Sequence, residues 1–146
     1  MTCTGVVVVT DGEMVEFSTI KTTPKDNMYK RSLYVGGKVN EYILKYPNHE
    51  VVLEAPAFMG KGSRVYQLFG FHYFVATLIF RHKGNFTQVP PTTLKKFATG
   101  SGKAKKEDMF EVLPTDIKKK FLKEHKKSTG IYDLADAYAL ANYEKG

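Results

Sequence analysis

Near the C-terminus, Tyr132-Asp133-Leu134-Ala135-Asp136-Ala137-Tyr138-Ala139-Leu140-Ala141 sets two acids three residues apart in a stretch otherwise built of Ala, Leu and Tyr. On a helix that spacing puts Asp133 and Asp136 on one face, while the small apolar residues let the same helix pack closely against a core. Two carboxylates held together in a half-buried place repel, and a divalent cation is the usual remedy. The stretch therefore predicts a closing helix that carries part of a metal site. Plain helix chemistry competes with that reading, because an acid near a helix N-terminus is favoured by the helix dipole. It covers Asp133 better than Asp136.

At 146 residues the chain has the size of one domain, spanning 1–146, with room for a hydrophobic core. Its hydrophobic content of 42% and charged content of 25% are those of a globular protein. No window approaches the apolar length of a membrane span, which predicts a soluble protein without a membrane partner. The first residues lack the basic segment and cleavage site of a secretory signal, and the single cysteine, Cys3, cannot form an internal disulfide. Both point to a reducing, intracellular setting. The net charge of +7 is unevenly placed. Half of the basic residues crowd one late segment: Lys95, Lys96, Lys103, Lys105, Lys106, Lys118, Lys119, Lys120, Lys123, Lys126 and Lys127. A lysine run alone most often marks a solvated helix face. Beside candidate metal ligands it points instead to nucleic acid.

Thr4 to Thr10 is a β-branched run ending in the turn signal Asp11-Gly12, and strand-like residues resume from Glu13 to Ile20, which predicts a hairpin. From about Met28 to Tyr46, Leu33, Val39, Tyr42, Ile43 and Tyr46 recur at helical spacing, with Gly36-Gly37 predicting a weak or irregular place. Glu50 to Glu54 reads as a short buried strand ending in an acid, and Arg64 to Phe80 as a buried helix. Asn85 to Val89 is a further strand candidate, Thr92 to Phe97 a single helical turn, and Ala98 to Lys103 a Gly-Ser loop. Ala104 to Leu113 predicts a helix stopped by Pro114, and Thr115 an N-cap for a Lys-rich helix running to His125. The order argues for an α/β sheet with packed helices and against a bundle.

Glu54, at the C-terminal edge of an apolar strand, sits where open α/β sheets place their ligands. Alone it would be an acid ending a strand at the surface. Beside Asp133 and Asp136 it completes a plausible carboxylate set for Mg²⁺, which prefers oxygen ligands drawn from separate elements. Gly100-Ser101-Gly102-Lys103 is not a phosphate-binding P-loop, since Phe97 stands where the earlier Gly belongs and Ala104 where Ser or Thr belongs. It reads as a flexible basic loop able to touch phosphates. The histidines at 49, 72, 82 and 125 show no paired metal spacing, and His72 reads as a packed helix residue. Cys3 has no nucleophile context.

These residues together resemble the RuvC-type Holliday junction resolvases, nucleases of the RNase H-like fold, through most of the chain. Thr4-Gly5-Val6-Val7-Val8 is similar to the family's second strand, and Val51-Val52-Leu53-Glu54 to the strand bearing its second acid. The segment from Val89 to Lys106 is similar to the basic loop and following helix, with Lys95 and Lys106 matching lysines that support DNA binding and cleavage. Asp133-Leu134-Ala135-Asp136-Ala137 is similar to the closing Asp-x-x-Asp-Ala motif. The resemblance implies an RNase H-like mixed sheet flanked by helices. It also implies a central first strand carrying an Asp just before Thr4-Gly5, and the chain as written starts after that point. Asp11, at the far end of the next strand, is a poor substitute. The expectation is that the true start lies upstream, the alternative being a degenerate relative. Phe58 stands one residue out of register with a family aromatic that contacts junction bases.

What the resemblance implies is a crossover junction endodeoxyribonuclease acting on branched DNA, homodimeric and cytoplasmic, in a bacterial or phage-infected cell. Glu54, Asp133 and Asp136 would be its catalytic metal ligands, with two Mg²⁺ ions that Mn²⁺ can replace. Lys95, Lys96, Lys103, Lys105, Lys106 and Phe58 would contact the DNA, and the helix from Arg64 to Phe80 is a candidate dimer interface, or else plain core. Two other readings stand beside it: a non-catalytic DNA-binding protein that kept the scaffold and lost the first acid, and an RNA-directed nuclease of the same fold.

Overall fold

The predicted hairpin forms where the turn chemistry demands it. A computed structural model describes residues 3–57, 62–125 and 130–144. Strand β1 (Cys3–Thr10) pairs with β2 (Glu13–Lys21) across a turn in which Asp11 (φ 53°) and Gly12 (φ 81°) both take positive φ. Two consecutive positive φ values match the right-handed twist of paired strands, and Asp-Gly reaches them at little steric cost. The chain divides into two compact units, residues 21–90 and residues 3–20 with 91–144.

In the unit spanning 21–90, helix α1 (Met28–Lys45) is capped by the Asn27 side chain, which accepts from the Lys30 amide at 2.9 Å. The irregularity expected at Gly36-Gly37 does not occur: α1 runs unbroken. The reason is packing against α2 (Ser63–Lys83), for a Cβ at Gly36 would lie 2.7 Å from Phe74 and 2.8 Å from Leu78. Glycine is tolerated there because its small size brings the two helices together. Val35, Ile43, Phe71, Val75, Ala76 and Ile79 are buried. Arg31, also buried, donates from Nε to the Thr22 hydroxyl at 3.1 Å and ties the preceding loop to the helix. His72 is buried as expected, 3.0 Å through Nε2 from Gln88 Oε1.

Strand β3 (Val52–Glu54) lies parallel to β4 (Thr87–Val89), with Glu54 opposite Val89. Bonds from Thr87 N to Val51 O and from Ala55 N to Val89 O extend the pairing. A parallel pair needs a long crossover, which α2 supplies. The described strands thus form two separate two-stranded sheets, and none of them joins the two pairs into one. Helix α2 departs from the buried helix expected: Tyr66, Tyr73 and Phe80 are 80%, 64% and 59% exposed.

The other unit is built around α6 (Gly130–Ala141), which lies against β1 and is flanked by α3 (Pro91–Thr99), α4 (Lys106–Glu111) and α5 (Thr115–Glu124). Pro91 opens α3, where a missing amide costs nothing and the fixed φ already suits a helix, so the single turn expected there extends to nine residues. Thr115 is the first helical residue of α5, and Pro114 takes the cap position expected for Thr115. Leu94, Met109, Phe121 and Leu134 are almost wholly buried, each contributing about 1.5–3 kcal/mol of apolar transfer free energy. Phe17 of β2 meets Phe121 edge to face at 5.0 Å.

Candidate metal and nucleic-acid site

The Ala-rich composition of α6 brings it close to β1. Ala135, Ala137 and Ala139 are buried, and Gly5 faces the backbone of Asp133 so closely that a Cβ there would sit 2.6 Å from the Asp133 carbonyl carbon and 2.9 Å from Leu134 N. Sequence reasoning missed this role of Gly5. Its signal was a lone glycine inside a β-branched run, which marks a close backbone approach.

That approach half-buries Asp133 and Asp136, one turn apart on α6. Burial raises the protonation range of Asp133, countered by a hydrogen bond from the Cys3 thiol and by the charge of Lys106. Burial, then the neighbouring charge of Asp133, pushes Asp136 up to about 6, while Lys95 acts in the opposite direction. The helix dipole that favours an acid in a first turn does not overcome this desolvation. Both carboxyls are thus harder to ionise than free ones, burial being the first cause in each case. The Cys3 contact was not foreseen, because Cys3 and Asp133 meet only through the β1–α6 packing.

Of the expected DNA-contacting lysines, Lys95 on α3 and Lys106 at the start of α4 act electrostatically on the acids. Packing places α3 and α4 against α6; the ring contact of Phe97 with Tyr143 at 5.2 Å helps to hold α3 there. Lys96, Lys103 and Lys105 are exposed. The loop between α3 and α4 is ordered by local bonds: Thr99 Oγ1 accepts from Ser101 N at 3.1 Å, and the Asp108 carboxylate accepts from Lys105 N at 2.9 Å. Glu54 ends β3 in the other unit, half-buried. Phe58, Lys126 and Lys127 lie outside the described residues.

Oxygen donors, mutual repulsion and half-burial fit Asp133 and Asp136 to a hard divalent cation. Among the described residues no three His, Cys, Asp or Glu side chains gather into a group able to hold a metal ion. Asp133 and Asp136 are thus two donors without a third among the described residues. Among the described residues, too, no helix is long and apolar enough to cross a membrane.

No protein-family model matches the chain. It is 33% identical over 97 residues to the crossover junction endodeoxyribonuclease RuvC of Rickettsia typhi, a likeness that covers 65% of this chain and 60% of that relative. The matched region thus spans somewhat less than two thirds of the relative's length. Among solved structures, Thermus thermophilus RuvC superposes with a TM-score of 0.67 at 22% identity, covering 94% of this chain and 82% of the other. The same protein in complex with a Holliday junction substrate gives 0.67 at 18% identity, covering 97% and 91%. The chain is thus similar in sequence to RuvC over those 97 residues and shares its fold over nearly its whole length.

Proposed function

We propose that the chain is a divalent-cation-dependent, structure-specific endonuclease that resolves Holliday junctions or related branched DNA. One observation carries the reading: two half-buried carboxylates on α6, their ionisation disfavoured, are faced by Lys95 and Lys106 on a RuvC-like fold. Asp133 and Asp136 would hold the cation, Mg²⁺ or Mn²⁺, with Glu54 added as a ligand on the strength of the resemblance alone. Such ions would supply Lewis-acid activation of water and stabilisation of the leaving oxygen. The protein's own part is positional. Asp133 and Asp136 give up their shared tendency to hold a proton when the cation binds. Lys95 and Lys106 receive the phosphate beside them, with Lys96, Lys103 and Lys105 adding exposed charge along the same strand. The Cys3 thiol fixes the Asp133 carboxylate.

The dimer belongs to this proposal. On α2 the exposed residues Tyr66, Gly70, Tyr73, Thr77 and Phe80 alternate at spacings of four and three, the seam of a helix that pairs with another. Large aromatics at that exposure are what a second copy would cover.

The test is cleavage of a labelled four-way junction with Mg²⁺, by the protein and by its Asp136→Asn variant. Cutting that needs the metal and is lost in the variant supports the nuclease. Tight junction binding with no cutting under either metal sinks it and favours the second reading, a non-catalytic junction-binding protein, which the lack of a three-ligand group among the described residues supports. Preference for structured RNA in competition would transfer the reading to an RNA substrate.

A further inference from the structure

Outward from the acids, the surface of α4, α5 and α6 alternates lysines with aromatic rings. Lys106 Nζ, which also acts on Asp133, lies 5.1 Å over the Tyr132 ring. Tyr132 meets Phe110 edge to face at 6.5 Å. Lys118 Nζ then lies 6.0 Å from the Phe110 ring and 3.2 Å from Glu111 Oε2. Both rings are half-exposed, and the side chain of Glu111 is 73% exposed against 25% for Lys118.

We propose that Lys106, Tyr132, Phe110 and Lys118 form a track that receives a DNA strand as it leaves the acid pair, with Lys106 and Lys118 on phosphates of the same strand. The inference rests on the nuclease reading above and adds Lys118 and the two rings to it. A free lysine side chain loses rotamer freedom when it grips a phosphate. Here each ammonium already rests on a ring, so less is lost on binding, as in any preorganised site. The apolar ring edges between the two charges suit the sugar and base between phosphates, as in grooves that combine basic residues with aromatic platforms. A continuous polyanion such as an acidic peptide would leave those edges against charge. An exposed carboxylate such as Glu111 is a weak partner and a ready one to exchange for phosphate.

The neighbouring acids sharpen the test. Glu111 holds Lys118 in the free protein, so a phosphate must displace it. Fluorescence anisotropy of a labelled four-way junction, in EDTA so that nothing is cut, gives affinity as a function of salt for the full chain and for Lys118→Gln, Glu111→Gln and Lys95→Gln. Lys118→Gln is expected to lower the salt slope by about 0.9, so its affinity falls about threefold less than the parent's between 50 and 200 mM salt. Glu111→Gln, by releasing Lys118, is expected to bind more tightly than the parent. A parental slope in Lys118→Gln, or weaker binding by Glu111→Gln, means the lysine serves only packing and overturns the track. If the parent itself binds without salt dependence and Lys95→Gln changes nothing, the nuclease reading falls instead.

Discussion

Replacing Asp136 by Asn is expected to remove cutting and yet make the metal-free protein more stable at neutral pH. Burial and the charge of Asp133 raise the Asp136 carboxyl from 3.8 to about 6 in the folded protein. A folded-state pKa above the unfolded one means the native state holds the proton more tightly. The stability this contributes is fully present below pH 3.8 and is lost as pH rises through about 6. At about 1.4 kcal/mol per pH unit, the ionised Asp136 leaves the native protein roughly 3 kcal/mol less stable at pH 7.5 than well below pH 3.8. Asparagine carries no charge and avoids that loss. The variant should therefore exceed the parent by up to about 3 kcal/mol at pH 7.5, and by only about 0.5 kcal/mol at pH 4, where the parent's folded carboxyl is still protonated. In a chain of this size that is a rise in Tm of roughly 10 °C. Urea unfolding followed by far-ultraviolet circular dichroism in EDTA, at pH 4, 6 and 7.5, measures it. Other titrating groups are shared by the two proteins and largely cancel in the difference. Mg²⁺ should narrow the gap by stabilising only the parent, by about 2.7 kcal/mol at a hundred times its Kd. An Asn variant less stable than the parent at pH 7.5, or one whose gain is the same at pH 4, would refute the assignment of a desolvated carboxylate.

Two glycines separate backbone from side-chain crowding. Gly5→Ala meets the Asp133 backbone and should cost roughly 1–3 kcal/mol in urea unfolding, disturbing the acid pair with it. Gly36→Ala meets only the flexible ends of Phe74 and Leu78 and gains about 1 kcal/mol of helix propensity, so its net change should be within about 1 kcal/mol of zero; a loss as large as that of Gly5→Ala would contradict this. On α2, Tyr73→Glu puts a charge at the centre of the exposed seam and should leave circular dichroism unchanged while sedimentation velocity shows monomer; undiminished self-association would place the interface elsewhere.

Much of the architecture was legible because its causes are local. Asp11-Gly12 specifies a tight turn whatever surrounds it, and the β-branched runs on either side make the strands. The i, i+3 spacing of Asp133 and Asp136 in an Ala-rich stretch placed both acids on one helix before any packing was known. Where reading the residues failed, a neighbour distant in sequence was responsible. Gly36-Gly37 looks like a weakness within α1 and becomes an asset only against Phe74 and Leu78 of α2. Helix α2 looks like core by composition, but its burial depends on what covers Tyr66, Tyr73 and Phe80.

The sequence by itself determined which groups could bind a cation and a phosphate: Asp133 and Asp136 at helical spacing, Glu54 at a strand end, and a surplus of lysine. Only the tertiary structure decided which of them act together within the unit that carries α6. Gly5 lets β1 close on α6, which half-buries the acids and brings Cys3 to Asp133. Packing of α3 and α4 on the same helix selects Lys95 and Lys106 from the lysine run to face the pair. Charge is a property of the residue type, whereas desolvation and proximity, which raise the Asp136 carboxyl to about 6, depend on segments that meet only when the chain folds.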